Sequence, residues 1–229
     1  MGSRPVATIL SVLVVMACTA PVPQPAASRA GRWVPIPNVP LAPWSAALLP
    51  TGKVLLFQSG SGMVLFDPRT RGFGLRISAR TNLFCAGLAL LGDGRLVAAG
   101  GHEGTTTAGK FLGAATAEVF DPWSERWSQL PDMRGGPRWY PTAVTLPDGR
   151  VLVASGTDRG RINDAVEILD PMSGEWEIVG HLRIPMYSWP IVDRSGVTFF
   201  GPDRVVWRFE IAEGSYRALG RSELSPASG

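Results

Sequence analysis

Short apolar runs alternate with glycine-containing turns along this chain, and the pattern occurs four times. Each turn pair precedes a mainly apolar run of four residues with at least one β-branched side chain, at positions 54–57, 96–99, 151–154 and 197–200. Two-residue turns between apolar runs are the strongest local signal of a β-hairpin. We therefore predict that each copy begins with a hairpin. The four turn pairs are Thr51-Gly52, Asp93-Gly94, Asp148-Gly149 and Ser195-Gly196.

The part of each copy that follows the hairpin also repeats. A glycine or a pair of small residues comes first, and a third strand then ends in Phe-Asp-Pro or Leu-Asp-Pro at positions 66–68, 120–122 and 169–171. A fourth strand carries Trp127 or Trp176, with Phe73 at the equivalent place of the first copy. The spacing of roughly forty to fifty-five residues is that of propeller blades. With the small pairs Gly100-Gly101 and Ser155-Gly156, the pattern resembles the kelch motif over residues 33–220.

Composition agrees with this all-β interpretation. The chain is 45% hydrophobic and 18% charged, and its 27 glycines and 20 prolines favour many short strands joined by turns. The formal net charge of +3 comes from arginines scattered singly, without a basic run. The sequence therefore predicts no nucleic-acid site.

The N-terminus predicts export. Arg4 precedes an apolar stretch at positions 6–17 that is too short to span a bilayer, which is typical of a signal peptide over residues 1–18. The residues before Cys18 resemble the lipobox of bacterial lipoproteins, so we expect lipidation of Cys18 and contact with the membrane only through that anchor. The alternative is ordinary cleavage and secretion, with Cys18 discarded and the cleavage site near Ala26, Ala27 or Ala30. Residues 19–31, rich in proline, alanine and serine, predict a tether, and residues 32–229 hold the propeller blades.

The second cysteine has no partner in such a mature chain. Only Cys18 and Cys85 occur, and the first is either lipidated or removed. An unpaired thiol in an oxidising compartment requires a buried, inert environment or another covalent fate.

One register of the repeat carries chemically reactive side chains. The residue nine positions before the turn glycine is Cys85, Tyr140 or Tyr187 in the last three copies and Pro43 in the first. The first strand of each blade lines the channel of a propeller, so we predict that these residues meet near the axis, on the face opposite the Asp-Gly turns. The alternative is a buried thiol and two aromatic packing residues.

The sequence around two of these residues resembles a known enzyme family. Phe-Cys-Ala-Gly at 84–87 and Arg-Trp-Tyr-Pro-Thr at 138–142 are similar to segments of the copper radical oxidases, galactose oxidase and especially glyoxal oxidase. The resemblance implies a thioether between Cys85 and Tyr140, with Tyr140 binding copper and carrying a radical. It also implies oxidation of a small alcohol, aldehyde or carbohydrate, with dioxygen reduced to hydrogen peroxide. Cu(II) accepts phenolate and imidazole ligands in a tetragonal arrangement.

Other features depart from that family. Its site includes a second tyrosine followed directly by histidine, another histidine, and an aromatic or imidazole ring after the third hairpin. Here Tyr187 is followed by Ser188, and the third hairpin is followed by a predicted loop at 157–159, Thr-Asp-Arg. The only histidines are His102 and His181, which we expect to be solvated loop residues near the axial face. The resemblance thus implies that part of the copper site is missing.

Four copies fall short of the seven blades of that family, and three explanations stay open. The sequence is a fragment or a truncated gene product, a second chain completes the ring, or a four-bladed ring closes. An alternative function is a non-catalytic kelch-repeat lipoprotein that binds carbohydrate or protein at the cell surface. The fold does not choose between an enzyme and a binding protein.

Overall fold

The computed structural model describes residues 33–223, and within that range every regular element is a β-strand. The predicted signal peptide, Cys18 and the tether lie outside the described residues. Contacts divide the chain after Pro35, and all strands belong to the unit Ile36–Gly229. No described residue lies in a helix long and apolar enough to cross a membrane.

Four antiparallel sheets of four strands, blades 1 to 4, follow one another along the chain. Blade 1 contains β1 (Ser45–Leu48), β2 (Val54–Phe57), β3 (Gly62–Asp67) and β4 (Gly72–Ser78). Blade 2 contains β5 (Gly87–Leu90), β6 (Leu96–Ala99), β9 (Ala117–Asp121) and β10 (Arg126–Leu130). Blade 3 contains β11 (Thr142–Thr145), β12 (Val151–Ala154), β15 (Ala165–Leu169) and β16 (Trp176–His181). Blade 4 contains β17 (Trp189–Val192), β18 (Gly196–Phe200), β19 (Val205–Glu210) and β20 (Ser215–Arg221).

All four predicted hairpins are present. The predicted second strands at 54–57, 96–99 and 151–154 coincide with β2, β6 and β12, and the fourth differs from β18 only at its first residue. The first strands β5, β11 and β17 lie next to one another. This order places the segments that enter these strands side by side.

Apolar side chains fill the spaces between successive blades. Trp176 is 2% exposed and packs between blades 2 and 3, where its Nε1 donates to the Pro131 carbonyl at 2.9 Å. Trp127 packs between blades 1 and 2, with its ring 5.2 Å from that of Phe120. The fourth-strand tryptophans therefore pack between blades. Phe73 instead contacts Phe66 of its own blade at 5.2 Å.

Two small ribbons are inserted between the second and third strands of blades 2 and 3. They are formed by β7 (His102–Thr105) with β8 (Phe111–Gly113), and by β13 (Thr157–Asp158) with β14 (Arg161–Ile162). The Arg159 amide donates to the Phe111 carbonyl at 2.9 Å, which joins the two ribbons. The prediction of a loop was therefore wrong for residues 157–158 and for His102, whereas Arg159 lies in the turn between β13 and β14. Strands this short, with polar and glycine residues, carry no alternating apolar signal.

The turns are arranged on two faces as the strand directions require. Lys53, beside the first turn of blade 1, pairs with Glu125 in the last turn of blade 2, with Nζ and Oε1 2.6 Å apart. Asp93 and Asp148, in the first turns of blades 2 and 3, line a common groove with Asp170, in the last turn of blade 3. The segments that connect one blade to the next therefore lie on the opposite face, where the reactive residues were predicted to meet.

Candidate functional site

The three residues of the reactive register share an unusual backbone conformation. Cys85, Tyr140 and Tyr187 each lie two residues before the first strand of a blade, with φ angles of 62°, 58° and 62°. The left-handed region disfavours any residue with a Cβ atom. Pro43 occupies the same place before β1, and its ring fixes φ near −65°. The proline explains why blade 1 departs from the pattern of the other three blades.

Cys85 and Tyr140 lie side by side. The Tyr140 amide donates to the Cys85 carbonyl at 3.0 Å, so the two entering segments are joined through their backbones. The Tyr140 hydroxyl and the Cys85 sulfur are also close enough for each group to shift the pKa of the other. Both side chains are half-buried, and Cys85 is the free cysteine of the described range. The structure therefore brings together the sulfur and phenol that the sequence predicted to meet.

Both groups hold their protons at neutral pH. Burial is the main cause that raises the pKa of the Tyr140 phenol, and the neighbouring Cys85 thiol raises it further. Burial also raises the pKa of the Cys85 thiol, while the neighbouring Tyr140 hydroxyl and Trp139 indole lower it in part. Since both neutral forms are favoured, the folded chain pairs a thiol with a phenol, and neither is ionised.

Tyr187 of blade 4 completes this group, which we call the register cluster: Cys85, Tyr140 and Tyr187. The rings of Tyr140 and Tyr187 have their centroids 4.7 Å apart, at 53° to each other. Tyr187 is 55% exposed. The cluster therefore reaches solvent on the side of blade 4.

Two buried carboxylates hold the segments that lead to the cluster. Glu118 of β9 is 1% exposed and accepts from the amides of Arg80 and Thr81 at 3.0 and 2.8 Å, on the segment that leads to Cys85. Glu167 of β15 is fully buried and accepts from the Gly135 amide at 2.7 Å, on the segment that leads to Tyr140. The two blades thus use the same device to position the two side chains.

Arg138 reinforces the second of these connections. Its fully buried guanidinium donates to Oε1 of Glu167 at 2.7 Å and to the carbonyls of Ser155 and Ala165 at 2.8 Å each. Neither glutamate was predicted from the sequence, and nor was this role of Arg138. The available signal was a glutamate inside an apolar third strand, at 117–121 (Ala-Glu-Val-Phe-Asp) and 166–170 (Val-Glu-Ile-Leu-Asp).

The two histidines belong to strands of different blades, His102 to β7 and His181 to β16. His102 is half-buried in β7, with its ring 6.1 Å from Phe84 and 5.6 Å from Phe111, and its Nδ1 is buried without a hydrogen-bond partner. The expectation of a solvated loop histidine was therefore wrong for His102. His181 is exposed at the end of β16, with Nδ1 3.1 Å from Oδ1 of Asp164.

The described residues do not by themselves fit copper. Between residues 33 and 223, no group of three or more histidine, cysteine or acidic side chains is arranged to hold a metal ion. The register cluster offers two phenols and one thiol but no imidazole, whereas Cu(II) prefers a tetragonal set of nitrogen and oxygen ligands. These residues by themselves therefore support no copper-dependent step.

The left-handed conformation at the cluster makes a testable prediction for stability. We expect Cys85→Gly to be more stable than Cys85→Ala by about 1 kcal/mol, because glycine relieves the strain at positive φ. Urea unfolding of both variants measures the difference. The control is Ala218→Gly in the exposed strand β20, where glycine should lower stability by about 0.5 to 1 kcal/mol. Equal stability of the two Cys85 variants would contradict the strain.

Comparisons with known proteins agree with this architecture. The kelch motif is recognised at residues 88–134 and 138–183. Galactose oxidase from Gibberella zeae is 29% identical over 96% of this chain, and the aligned region is 32% of that protein. Aldehyde oxidase GLOX1 from Arabidopsis thaliana is 30% identical over 36% of this chain and 12% of that protein. This chain therefore spans about a third of the length of the galactose oxidase that it matches.

A solved structure supports the same fold. It is described as a novel fungal alcohol oxidase of the AA5 family in complex with copper, and it superposes with a TM-score of 0.68 at 22% identity. The superposition covers 81% of this chain and 43% of the fungal one. The all-β, kelch-type propeller fold and the resemblance to galactose oxidase, both predicted from the sequence, are confirmed.

Proposed function

We propose that this chain, a homologue of galactose oxidase with kelch motifs, supplies the cysteine and the tyrosine of a copper radical oxidase site. The observation that carries the proposal is the contact between the Cys85 sulfur and the Tyr140 hydroxyl, on adjacent blades. The carbon atoms of the Tyr140 ring that flank the hydroxyl are the ones that a thioether would join. A covalent fate of this kind also accounts for a lone thiol in an exported protein.

The proposed link is a two-electron oxidation. The S–H bond of Cys85 and the C–H bond beside the Tyr140 hydroxyl break, and a carbon–sulfur bond forms. Two protons and two electrons leave, and dioxygen accepts them to give hydrogen peroxide. A phenol that carries a thioether is easier to oxidise than tyrosine, which suits it to hold a radical.

Several parts of the proposal extend beyond the described residues. An oxidase of this type would act on a small alcohol, aldehyde or carbohydrate and would reduce dioxygen to hydrogen peroxide. Copper would need imidazole ligands in addition to the Tyr140 phenolate, from residues outside the described range or from a second chain that completes the ring. Export, with Cys18 lipidated in a bacterial cell envelope or the chain secreted, belongs to the same proposal.

The test is the intact mass of the chain before and after exposure to copper salts and air. A Cys18→Ser background leaves Cys85 as the sole thiol, so that a disulfide within the chain cannot mimic the link. We expect the mass to fall by two hydrogen atoms and to stay lower after reduction. Tryptic peptides 81–95 and 139–150 should then be found joined.

Thiol labelling gives the second measurement and must be done in denaturant, because the raised pKa of Cys85 slows alkylation in the folded chain. Tyr140→Phe removes the hydroxyl that activates the ring and should abolish the link. Tyr187→Phe is the matched control and should keep it. Full labelling of Cys85 after exposure, with no loss of mass, would reject the oxidase proposal and favour the binding-protein alternative.

A further inference from the structure

The indole of Trp139 is held firmly beside the register cluster. Its backbone is paired in both directions with Thr157, with N–O distances of 2.7 Å each. Its ring stacks on Phe111 of β8, with centroids 4.1 Å apart and planes at 21°. Its edge contact with Tyr140 has a centroid separation of 4.6 Å and an angle of 75°. The ring is therefore fixed by the ribbon on one side and by the tyrosine on the other.

The Trp139 N–H lacks an ordinary acceptor. Its Nε1 atom is buried and has no hydrogen-bond partner within normal geometric limits. A buried donor without an acceptor is costly, so such a group indicates a further interaction. The Cys85 sulfur is close enough to Trp139 for the indole to lower the pKa of the thiol. Sulfur is a weak acceptor, which suits a long contact of this kind.

We propose that Trp139 is a positioning residue that holds the Cys85 sulfur against the Tyr140 ring through its indole N–H, and that Phe111 fixes the indole. The inference deepens the proposed function and rests on it. The sulfur then receives two donors, the Tyr140 hydroxyl and the Trp139 N–H, and these restrict its rotation about the Cα–Cβ bond. The ribbon of β7 and β8 acquires a role as the outer support of this arrangement.

The test is Trp139→Phe, which keeps an aromatic ring against Phe111 and removes the N–H. The first readout is the pH dependence of Cys85 alkylation in the reduced, copper-free Cys18→Ser chain. Without the donor the thiolate is less stable, so the thiol pKa should rise and alkylation at a fixed pH below the pKa should slow severalfold. The second readout is the rate of link formation in copper and air, which should fall about tenfold.

Two further variants control the experiment. Trp207→Phe removes another buried indole N–H without a partner, in blade 4, and should change neither readout. Phe111→Leu keeps Trp139 but removes its stacking partner, so it should shift both readouts in the same direction by less. Circular dichroism checks that each variant is folded. If Trp139→Phe does not fold, Phe111→Leu provides the test of the positioning role.

The outcomes separate this inference from the proposed function. If folded Trp139→Phe keeps the thiol pKa and the link rate of the wild type, the positioning role is wrong. The thiol pKa is measured without any link, so it reports on the N–H contact even if the wild-type chain forms no thioether. Absence of the link in the wild type, together with a raised thiol pKa in Trp139→Phe, would reject the proposed function and retain the contact.

Discussion

Arg138→Met is expected to lower the free energy of unfolding by about 3 to 5 kcal/mol, because it leaves the Glu167 carboxylate buried without its countercharge. The variant also leaves the carbonyls of Ser155 and Ala165 without their donor. Methionine fills similar space, so lost packing contributes little. Urea unfolding at neutral pH, compared through the midpoint and slope, measures the loss.

The double variant Arg138→Met with Glu167→Leu tests the cause. An apolar pair of similar volume avoids the unpaired charge, so part of the stability should return, although the Gly135 amide loses its acceptor. Arg208→Met is the matched control: that guanidinium is also buried, but its partner carboxylates keep contact with solvent, largely for Asp193 and partly for Glu210, so the loss should be about 1 kcal/mol. A loss below that of Arg208→Met would contradict the role given to the buried pair.

Glu118→Ala is expected to lower the free energy of unfolding by about 2 to 4 kcal/mol, because the amides of Arg80 and Thr81 lose their shared acceptor. The same change should loosen the segment that positions Cys85. Hydrogen exchange at those two amides should accelerate more than exchange in β6. The rate of thioether formation should fall along with it.

Two controls accompany this variant. Glu118→Gln keeps one acceptor oxygen and should cost less than Glu118→Ala. Glu177→Ala, on the exposed side of β16, should stay within about 0.5 kcal/mol of wild type. Unchanged exchange at Arg80 and Thr81 in Glu118→Ala would show that another group holds the segment.

The features predicted correctly from the sequence depend on local signals. A turn glycine flanked by apolar runs defines a hairpin by itself, and for this reason β2, β6 and β12 were predicted to the residue. The contact between Cys85 and Tyr140 followed from the same signal. Cys85 and Tyr140 each lie nine residues before the glycine of an equivalent turn. They therefore precede the first strands of neighbouring blades at the same level along the axis.

The features that were missed depend on contacts distant in sequence. Glu118 and Glu167 are acceptors for amides more than thirty residues earlier, so nothing beside them indicates their burial. The ribbons form because they pack against each other and against Trp139, whereas their own residues have little strand preference. His102 was misplaced for that reason, since its position depends on Phe84 and Phe111.

In blades 2, 3 and 4, the residue two positions before the first strand has the same left-handed backbone conformation with different side chains. The backbone path there is the same whether the blade presents a thiol or a phenol, so the scaffold does not dictate which chemistry faces the axis. A change of reactive group at one blade therefore leaves the neighbouring strands in register. A repeat protein of this kind can acquire or lose an activity by single substitutions, while its architecture stays intact.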